Sequence, residues 1–433
     1  MRILFPHQKS ALNWAIPRST IALFMEMRLG KTLVCIRWLQ EKRAQSVLII
    51  APSAVITTWR IELQTEGVII KDISILQGPA STRIKLAEEQ KTWNLINYEG
   101  LLSAPEILAM KWDAVILDES SRIKNPKAQI TKLINSQLKD VTYKAILSGY
   151  PCPESEMDYF EQIKFVNGNF MGFENFWAWR NIACVQFGFK WEIKYAFKER
   201  LKKEVEESAF ILTRKDVNIG SKKIYEKRFI PMVSAQKKVY EEVKKDFAYT
   251  YKNSKGSTRW IPVKLEWLSQ IAGGFSPETS QLISEGKCKE ILILLKGELK
   301  DQKIVIWFKH TCELNYVYSQ LRQKFRVGRF TGTIKEGDLS KDIDIMLAQT
   351  KCGQMGLDWS VASTAIYYSN WWSGEIRIQS EDRIIHPQKK EPVLYIDLLT
   401  ENSIDTHILD LLKKKKINSE QFLLELSRRT LDD

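Results

Sequence analysis

Short apolar runs recur along this chain and are separated by longer, more polar segments with helical spacing. Alternation of this kind predicts parallel sheets flanked by helices, and the pattern occurs once in each half of the chain. A length of 433 residues allows two to three domains at ~150 residues each. The predicted strands are residues 21–25, 46–52, 93–98, 113–119 and 144–149 in the first half, and 303–308, 326–330, 342–348, 364–369 and 393–399 in the second.

The middle of the chain, from about residue 153 to residue 286, is dense in lysine, glutamate and aromatic residues and has no comparable strand runs. We therefore predict that it is mostly helical. Its aromatic-rich part, residues 168–197, has two interpretations: a small helical core, or a protrusion that faces nucleic acid with mixed rings and basic residues. Residues 252–260 are basic and polar, which is typical of either a mobile loop near DNA or a solvated link.

The chain is basic, with 65 Lys and Arg residues against 52 Asp and Glu residues and a formal net charge of +13. This excess favours a polyanionic partner, because Lys and Arg release counterions from phosphate backbones. A solvated lysine face is the alternative, and the run from Lys413 to Lys416 is typical of one.

No apolar run approaches the ~20 residues that span a bilayer, and the N-terminus lacks the pattern of a signal peptide. We therefore expect a cytoplasmic protein with no membrane partner. The six cysteines include no C-x-x-C pair and the four histidines lack ligand spacing, so neither structural zinc nor a disulfide framework is expected.

The segment MEMRLGKT, residues 25–32, lies between a predicted strand and a predicted helix. Its end matches the phosphate-loop pattern G-x-x-x-x-G-K-[ST], but Met25 stands where that pattern has its first glycine. At such a turn, backbone N–H groups surround phosphates, lysine adds a positive charge and the next hydroxyl reaches Mg²⁺. Gly30, Lys31 and Thr32 are therefore candidates for a nucleotide site, although a lone G-K-T triplet also arises by chance.

The segment DES, residues 118–120, closes an apolar strand and so presents two carboxylates at the edge of a sheet where ligands of open α/β sheets bind. Asp118 is the candidate ligand of Mg²⁺, and Glu119 is the candidate base that orients the attacking water. A solvated acidic turn is the alternative. The segment LSGYP, residues 147–151, also follows a strand directly, though alone it is typical of an ordinary turn.

These motifs belong to a longer series that occurs in one order: FPHQKSALNW, MRLGKT, IIAPSAVITTWRIEL, INYEGL, LDESSRIKNP, LSGYP, FILTRKDV, KIVIWF, GQMGLDW and QSEDRIIHP. From Phe5 to about Leu412 the series resembles the Swi/Snf-type branch of the superfamily-two helicase-like ATPases. The resemblance implies two tandem RecA-like domains with helical insertions. It predicts an N-terminal lobe at 1–230 with an insertion at about 153–210, a helical insertion or linker at 231–285 and a C-terminal lobe at 286–433.

The resemblance also implies that ATP and Mg²⁺ bind in a cleft between the two domains. Gln8 matches the residue that reads adenine, and Arg383 matches an arginine that stabilises charge on the transferred phosphoryl group. The implied catalytic residues are Lys31, Asp118, Glu119, Gln379 and Arg383. The implied nucleotide-binding residues are Gln8, Arg28, Leu29, Gly30, Lys31, Thr32, Gly356 and Asp358, with Thr32 and Asp118 at the metal.

By the same resemblance, nucleic acid would be held through its phosphates and without base reading. The candidate contact residues are Thr57, Lys309, Thr350 and Lys351, and a structural role is the alternative for each. Trp59 is expected to pack beneath its strand and not to stack on a base.

The chain departs from the family pattern at four positions. Met25 replaces an acid, Arg28 replaces a glycine, and Ser121 replaces the histidine of the D-E-A-H form. His386 replaces the second arginine of D-R-x-x-R, the usual arginine finger. Arg377 is a possible substitute for that finger, but we expect it to be an ordinary surface residue.

The resemblance implies a monomeric, nucleic-acid-dependent ATPase that moves along duplex or branched DNA, in the minimal form found in bacteria and their phages, with DNA repair or recombination among its settings. One alternative is a motor with weakened hydrolysis that acts as a DNA-binding or strand-annealing platform, as His386 and Ser121 would suggest. The other is an RNA-directed helicase of the same superfamily, against which DESSRIKNP argues.

Overall fold

A computed structural model describes residues 1–153, 155–188, 190–246, 248–251, 254–257, 260–354, 358–386 and 389–414. The described chain divides into two compact units. The first is Met1–Ile219, and the second begins at Gly220.

The first unit is built on a seven-stranded sheet in which every pair of neighbouring strands is parallel. The order across the sheet is β3-β4-β2-β5-β6-β1-β9, and β7 pairs with β8 in a separate hairpin. The strands are β1 (Thr20–Met25), β2 (Val47–Ala51), β3 (Ile73–Ile75), β4 (Trp93–Asn97), β5 (Ala114–Asp118), β6 (Tyr143–Leu147), β7 (Cys184–Phe187), β8 (Lys190–Ile193) and β9 (Ala209–Leu212). The helices are α1 (Pro6–Ala15), α2 (Lys31–Lys42), α3 (Ile56–Thr65), α4 (Ala80–Glu88), α5 (Tyr98–Ser103), α6 (Gln129–Gln137), α7 (Tyr159–Asn167), α8 (Phe176–Ala183) and α9 (Tyr195–Ser208).

The interior strands are mostly apolar because both faces of the sheet are covered. Successive strand side chains point to opposite faces, so one strand feeds two cores. In β1, Ala22 and Phe24 enter one core, whereas Ile21, Leu23 and Met25 enter the other. This double burial explains why short continuous apolar runs identified these strands in the sequence.

The second unit has a seven-stranded sheet of order β10-β18-β17-β13-β16-β14-β15, parallel except for the pair β14 and β15. The strands are β10 (Lys223–Ile230), β11 (Ala248–Tyr251), β12 (Ser254–Ser257), β13 (Ile304–Phe308), β14 (Val327–Phe330), β15 (Lys335–Glu336), β16 (Ile345–Gln349), β17 (Thr364–Tyr367) and β18 (Val393–Thr400). The helices are α10 (Ser234–Asp246), α11 (Ile261–Ala272), α12 (Gly286–Lys296), α13 (Thr311–Leu321) and α14 (Gly374–Glu381), and residues 404–414 are also helical.

All ten predicted strands are present, and the α/β fold class with tandem, mainly parallel sheets is confirmed. The prediction of a mostly helical middle is wrong in part. Strands β9 and β10 lie there and join the first and second sheets respectively, and β7–β8 and β11–β12 form hairpins. Strand β10 ends at residue 230, inside the segment assigned to the first lobe, yet it pairs with β18. It escaped prediction because an edge strand keeps many polar, exposed side chains.

The aromatic-rich segment is partly buried, but it extends the core of the first sheet and does not form a small core of its own: Phe170 and Trp179 lie in the same cluster as Phe24 of β1. Phe160, Phe170, Phe176 and Trp179 pack together with ring centroids 5.2–5.7 Å apart, and Trp179 is fully buried. Phe187 and Tyr195 remain exposed. Of residues 252–260, the structure describes 254–257, which form β12, and Trp260.

All six cysteines are free thiols. Among the described helices, none is both long and apolar enough to cross a membrane.

A buried carboxylate ties the N-terminal segment to α2 and α3. Glu66 caps α3 and is fully buried. Its Oε1 accepts a hydrogen bond from Arg2 Nε at 2.9 Å, and its Oε2 accepts one from Arg37 Nε at 2.6 Å. Burial raises the pKa of this carboxyl, but the hydrogen bonds from Arg2 and the charge of Arg37 outweigh burial, so the pKa of Glu66 lies below its ordinary value.

We predict that Glu66→Gln lowers the free energy of unfolding by about 2 kcal/mol at pH 7, because it removes charge-assisted hydrogen bonds. A lowered pKa stabilises the fold above the unfolded pKa, and that contribution is lost as pH falls through the folded pKa. The difference from the wild type should therefore be constant above about pH 5 and shrink in more acidic solution. Chemical denaturation across pH 3–8 measures it. Glu89→Gln, which breaks an exposed pair with Lys91, is the control and should leave stability unchanged. A loss that persists at pH 3 would contradict this account.

Candidate nucleotide-binding site

The G-K-T triplet lies at a strand–turn–helix junction, as predicted. Gly30 is the N-cap of α2 and has a left-handed backbone with φ 88°, and Lys31 is the first residue of the helix. Lys31 Nζ donates to Met25 O at 2.7 Å and Glu26 O at 3.3 Å, so its charged end lies over the turn. The N–H groups at the start of a helix, with a lysine beside them, suit a phosphate.

Gln8 on α1 holds this turn in shape. Its Nε2 donates to Leu29 O at 3.3 Å, and its Oε1 accepts from Phe5 N at 3.0 Å. A Cβ on Gly30 would lie 2.2 Å from Gln8 Nε2, closer than any real contact. His7 Nε2 also lies 3.2 Å from Leu29 O. Helix α1 therefore packs directly against the phosphate loop. Two features favour glycine at position 30: its left-handed backbone, and the lack of space for a Cβ beside Gln8.

Arg28 stands where the family has glycine, and it adopts a backbone conformation that favours glycine. Its φ is 68°, in the left-handed region that glycine adopts freely. A side chain in that conformation costs roughly 1–2 kcal/mol. Leu29, the next residue, is buried and anchors the turn.

The acidic motif sits at the end of β5, again as predicted. Asp118 is the last residue of the strand. Its Oδ2 accepts a hydrogen bond from Trp59 Nε1 at 2.8 Å, and its Oδ1 accepts one from Glu119 N at 3.0 Å. Burial raises the pKa of the Asp118 carboxyl, while the Trp59 hydrogen bond and the charge of Lys31 act in the opposite direction. Tyr98 Oη donates to Asp118 O at 2.8 Å and so fixes the strand end.

The turn LSGYP, residues 147–151, lies beside both the phosphate loop and the acidic motif. In the sheet, Leu147 pairs with Asp118 on one side and with Leu23 on the other, so β5, β6 and β1 end at one edge. At Gly149, a Cβ would lie 3.2 Å from Met27 N and 3.4 Å from Lys31 Nζ. The structure therefore brings Lys31, Asp118 and Gly149 together at the carboxyl edge of the sheet.

Gln162 on α7 links two of these motifs and gave no signal in the sequence. It is fully buried. Its Oε1 accepts from Ser120 Oγ at 2.7 Å, and its Nε2 donates to Pro151 O at 2.7 Å. The insertion thus contributes a side chain to the framework of the site.

The donor set in this unit fits Mg²⁺. The Thr32 hydroxyl and the Asp118 carboxylate offer only oxygen, the donor that Mg²⁺ prefers, and water usually completes its shell. Asp118 also keeps acceptor capacity beyond its two hydrogen bonds, because a carboxylate has about four lone-pair sites.

In the second unit, the fifth and sixth motifs are neighbours. Trp359 N donates to Arg383 O at 2.9 Å. Gln379 lies on α14 and is buried, with Nε2 donating to Glu375 Oε1 at 3.3 Å. Asp358 is exposed, and its Oδ1 accepts from Ser360 N at 3.0 Å. Gly356 lies outside the described residues.

Arg377 is not the surface residue that we expected. It is buried, with NH1 donating to Asp397 Oδ1 at 2.5 Å and Nε to Glu381 Oε1 at 2.8 Å. Its guanidinium lies 3.4 Å from the centroid of the Tyr367 ring. Its main partner, Asp397 of β18, lies twenty positions away in the sequence. Sequence patterns around Arg377 therefore could not predict its burial. These contacts also argue against Arg377 as a substitute finger.

The candidate nucleic-acid contacts fall into two groups. Thr57, at the start of α3, is exposed, and so is Lys351, whose Nζ lies 4.1 Å from the centroid of the Trp371 ring. Thr350 is buried and donates to Phe308 O at 2.9 Å, and Lys309 Nζ is buried and donates to Glu266 Oε2 at 2.6 Å. The structural alternative accounts for the second group. Trp59 is buried, as expected.

Ser121 and His386, two further departures from the family pattern, lie in turns. Ser121 is buried in the 3₁₀ turn Ser120–Ile123 that follows the acidic motif. His386 is half-buried, and its carbonyl accepts from Lys389 N at 3.0 Å.

Two mainly parallel sheets flanked by helices, with a phosphate-loop triplet and an acidic strand end at one sheet edge, define a tandem RecA-like α/β protein. The match to a family model is more particular. Residues 7–271 match the model of the SNF2-related domain, and the chain belongs to that family. The resemblance inferred from the sequence motifs is therefore confirmed.

Curated relatives include the SWI/SNF chromatin-remodeling complex subunit snf22 of Schizosaccharomyces pombe, 26% identical over 89% of this chain and 26% of that protein. The putative ATP-dependent helicase/translocase YwqA of Bacillus subtilis is 25% identical over 99% of this chain and 50% of that protein. The chain thus spans between about a quarter and half of these relatives' length. Among solved structures, the Sulfolobus solfataricus SWI2/SNF2 ATPase core in complex with dsDNA has a TM-score of 0.46 and 20% identity, covering 98% of this chain and 95% of that one.

We predict that Gly30→Ala destabilises the first unit more than Gly67→Ala does. Both glycines have φ near 90°, but no atom lies within 4 Å of a Cβ at Gly67. Gly67→Ala should cost ~1–2 kcal/mol for the backbone alone. Gly30→Ala should cost a further ~1–3 kcal/mol from overpacking against Gln8. Chemical denaturation measures both, and the extra loss should shrink when Gln8→Ala is added. An equal loss of unfolding free energy in the two glycine variants would contradict close packing of Gln8 against Gly30.

We also predict that Arg377→Met lowers the free energy of unfolding by ~3–5 kcal/mol, because it leaves the buried Asp397 carboxylate without its cation. Glu381 also loses Arg377 but keeps its contact with Lys223. Arg326→Met is the control. Arg326 makes a bidentate salt bridge with Asp344 at an exposed site. Its replacement should therefore leave the free energy of unfolding unchanged. A similar, small effect of both substitutions in chemical denaturation would show that the Arg377 network contributes little.

Proposed function

We propose that this chain is an ATP-dependent motor that moves along duplex or branched DNA. The convergence of Lys31, Asp118 and Gly149 at one sheet edge is the observation that carries the proposal. Membership of the SNF2-related domain family supports it, and so does the similarity to the bacterial relative YwqA, which is named as a putative ATP-dependent helicase/translocase.

The phosphate loop would bind ATP through the backbone of Arg28, Leu29 and Gly30, while Lys31 turns from its carbonyl partners to the β- and γ-phosphates. This reorientation of the Lys31 side chain should cost little free energy, because lysine carries a point charge on a flexible stem. Gln8 would contact adenine from α1. Bound Mg²⁺ would neutralise charge on the β- and γ-phosphate oxygens, held by Thr32 and Asp118.

Glu119 would orient and deprotonate the attacking water. Its left-handed backbone, φ 52°, turns the chain sharply after β5. Two adjacent carboxylates with different surroundings can take different roles, one toward metal and one toward water.

The second unit would complete the site when the two units close on ATP. Arg383 would stabilise charge on the transferred phosphoryl group, and Gln379, Gly356 and Asp358 would support it. Because histidine, His386, stands at the usual position of the arginine finger, the rate of ATP hydrolysis would depend on the catalytic contribution of Arg383.

DNA would be held by its phosphates. A net charge of +13 supports a polyanionic partner, and Thr57 and Lys351 are accessible donors for phosphate oxygens. Lys309 and Thr350 would support this surface from beneath through their buried contacts. The alternative is a platform that binds ATP and DNA without movement, which the replacements at Ser121 and His386 favour.

We predict that Lys31→Ala abolishes hydrolysis and that Glu119→Gln retains ATP binding while it stops turnover. Lysine supplies charge to the phosphates in binding, whereas the acid acts only on the water. Binding of a fluorescent ATP analogue and phosphate release measure the two steps. Lys42→Ala, at the far end of α2, and Glu106→Gln, on a surface turn, are the matched controls and should behave as the wild type. Full hydrolysis by Lys31→Ala would contradict the phosphate-loop assignment.

Displacement of a triplex-forming strand separates a motor from a platform. The wild type should displace the third strand only with ATP, and Glu119→Gln should bind the same DNA without displacing it. ATP hydrolysis by the wild type without displacement would favour the platform.

A further inference from the structure

Trp59 makes a contact that packing alone does not require. Its indole is buried in α3, and Nε1 donates to Asp118 Oδ2 at 2.8 Å. The two residues are 59 positions apart. Tryptophan is a donor only, so its one polar atom is committed to this carboxylate. A buried tryptophan can find such a partner in any nearby carbonyl, as Trp112 does in Ile107 O at 2.9 Å.

The Asp118 carboxylate is held on both oxygens by groups that carry no charge. Glu119 N donates to Oδ1, and Trp59 Nε1 donates to Oδ2. Hydrogen bonds to an ionised acceptor are about twice as strong as neutral ones, so together they fix the plane of the carboxylate. Because neither donor is charged, the negative charge stays available for a cation.

The indole itself cannot move far. Trp59 packs in the same core as Ile56 and Leu63 of its own helix and Val34 and Cys35 of α2. The helix that starts at Lys31 thus contributes to the same core as the indole that binds Asp118.

We propose that Trp59 is the positioning residue of the metal site: its indole N–H holds Asp118 in the orientation that binds the nucleotide-bound Mg²⁺. The inference rests on the proposed function, in which Asp118 holds that ion. Groups that orient metal ligands from behind typically contribute 10–100-fold to metal affinity.

The test compares Trp59→Phe with Trp112→Phe in the full chain. Both keep a buried ring and lose one N–H donor, but only the first loses a donor to Asp118. Binding of a fluorescent ADP analogue is titrated at increasing Mg²⁺ and in EDTA. In Trp59→Phe, the Mg²⁺ concentration for half-maximal binding should rise about 10-fold, while binding in EDTA matches the wild type. Trp112→Phe should match the wild type in both.

An unchanged Mg²⁺ requirement in Trp59→Phe would overturn the inference, as would an equal loss of binding in EDTA, which would indicate a general structural role. Asp118→Asn supplies a second check, because adding Trp59→Phe to it should not raise the Mg²⁺ requirement further. A further 10-fold rise in that double variant would also overturn it. A wild type that binds no nucleotide would contradict the proposed function itself, which is a separate outcome. The comparison of the tryptophan variants measures binding only and does not require ATP hydrolysis.

Discussion

Parallel pairing of β1, β6 and β5 is the constraint from which the rest of the site follows. Because Leu147 is in register with both Leu23 and Asp118, three turns of the chain emerge at one edge. A helix start, an acidic strand end and a small-residue turn then meet without any long loop to position them. The sheet can impose this register because its strands are buried on both faces, where a slip would expose apolar side chains.

Three charged side chains that are buried or partly buried are held in a similar manner. Glu66, Arg377 and Asp118 are each surrounded by donors or counter-charges fixed in secondary structure. The first two are matched by opposite charges and serve the fold. Asp118 is different, since Trp59 and the Glu119 backbone orient it without neutralising it, and the nearby charge of Lys31 only moderates the effect of burial on its pKa. A carboxylate kept oriented and unneutralised is suited to a cation.

Features that are local in sequence could be predicted, and features that depend on distant pairing could not. Short, largely apolar runs revealed ten of the strands, and the triplet at Gly30 and the acid at Asp118 could be placed because strand ends are local. Strand β10 was missed because its exposed edge leaves polar residues in the pattern. Three contacts were missed because their partners lie 20–59 residues apart: Gln162 with Ser120, Trp59 with Asp118, and Arg377 with Asp397.

Steady-state ATP hydrolysis tests the central claim most directly. The purified chain would be assayed with no nucleic acid, duplex DNA, branched DNA, single-stranded DNA and RNA at one fixed salt concentration, because salt screens phosphate contacts. We expect strong stimulation by duplex or branched DNA and little by RNA. Nucleotide binding without turnover on any of these, or strongest stimulation by RNA, would contradict a DNA-driven motor.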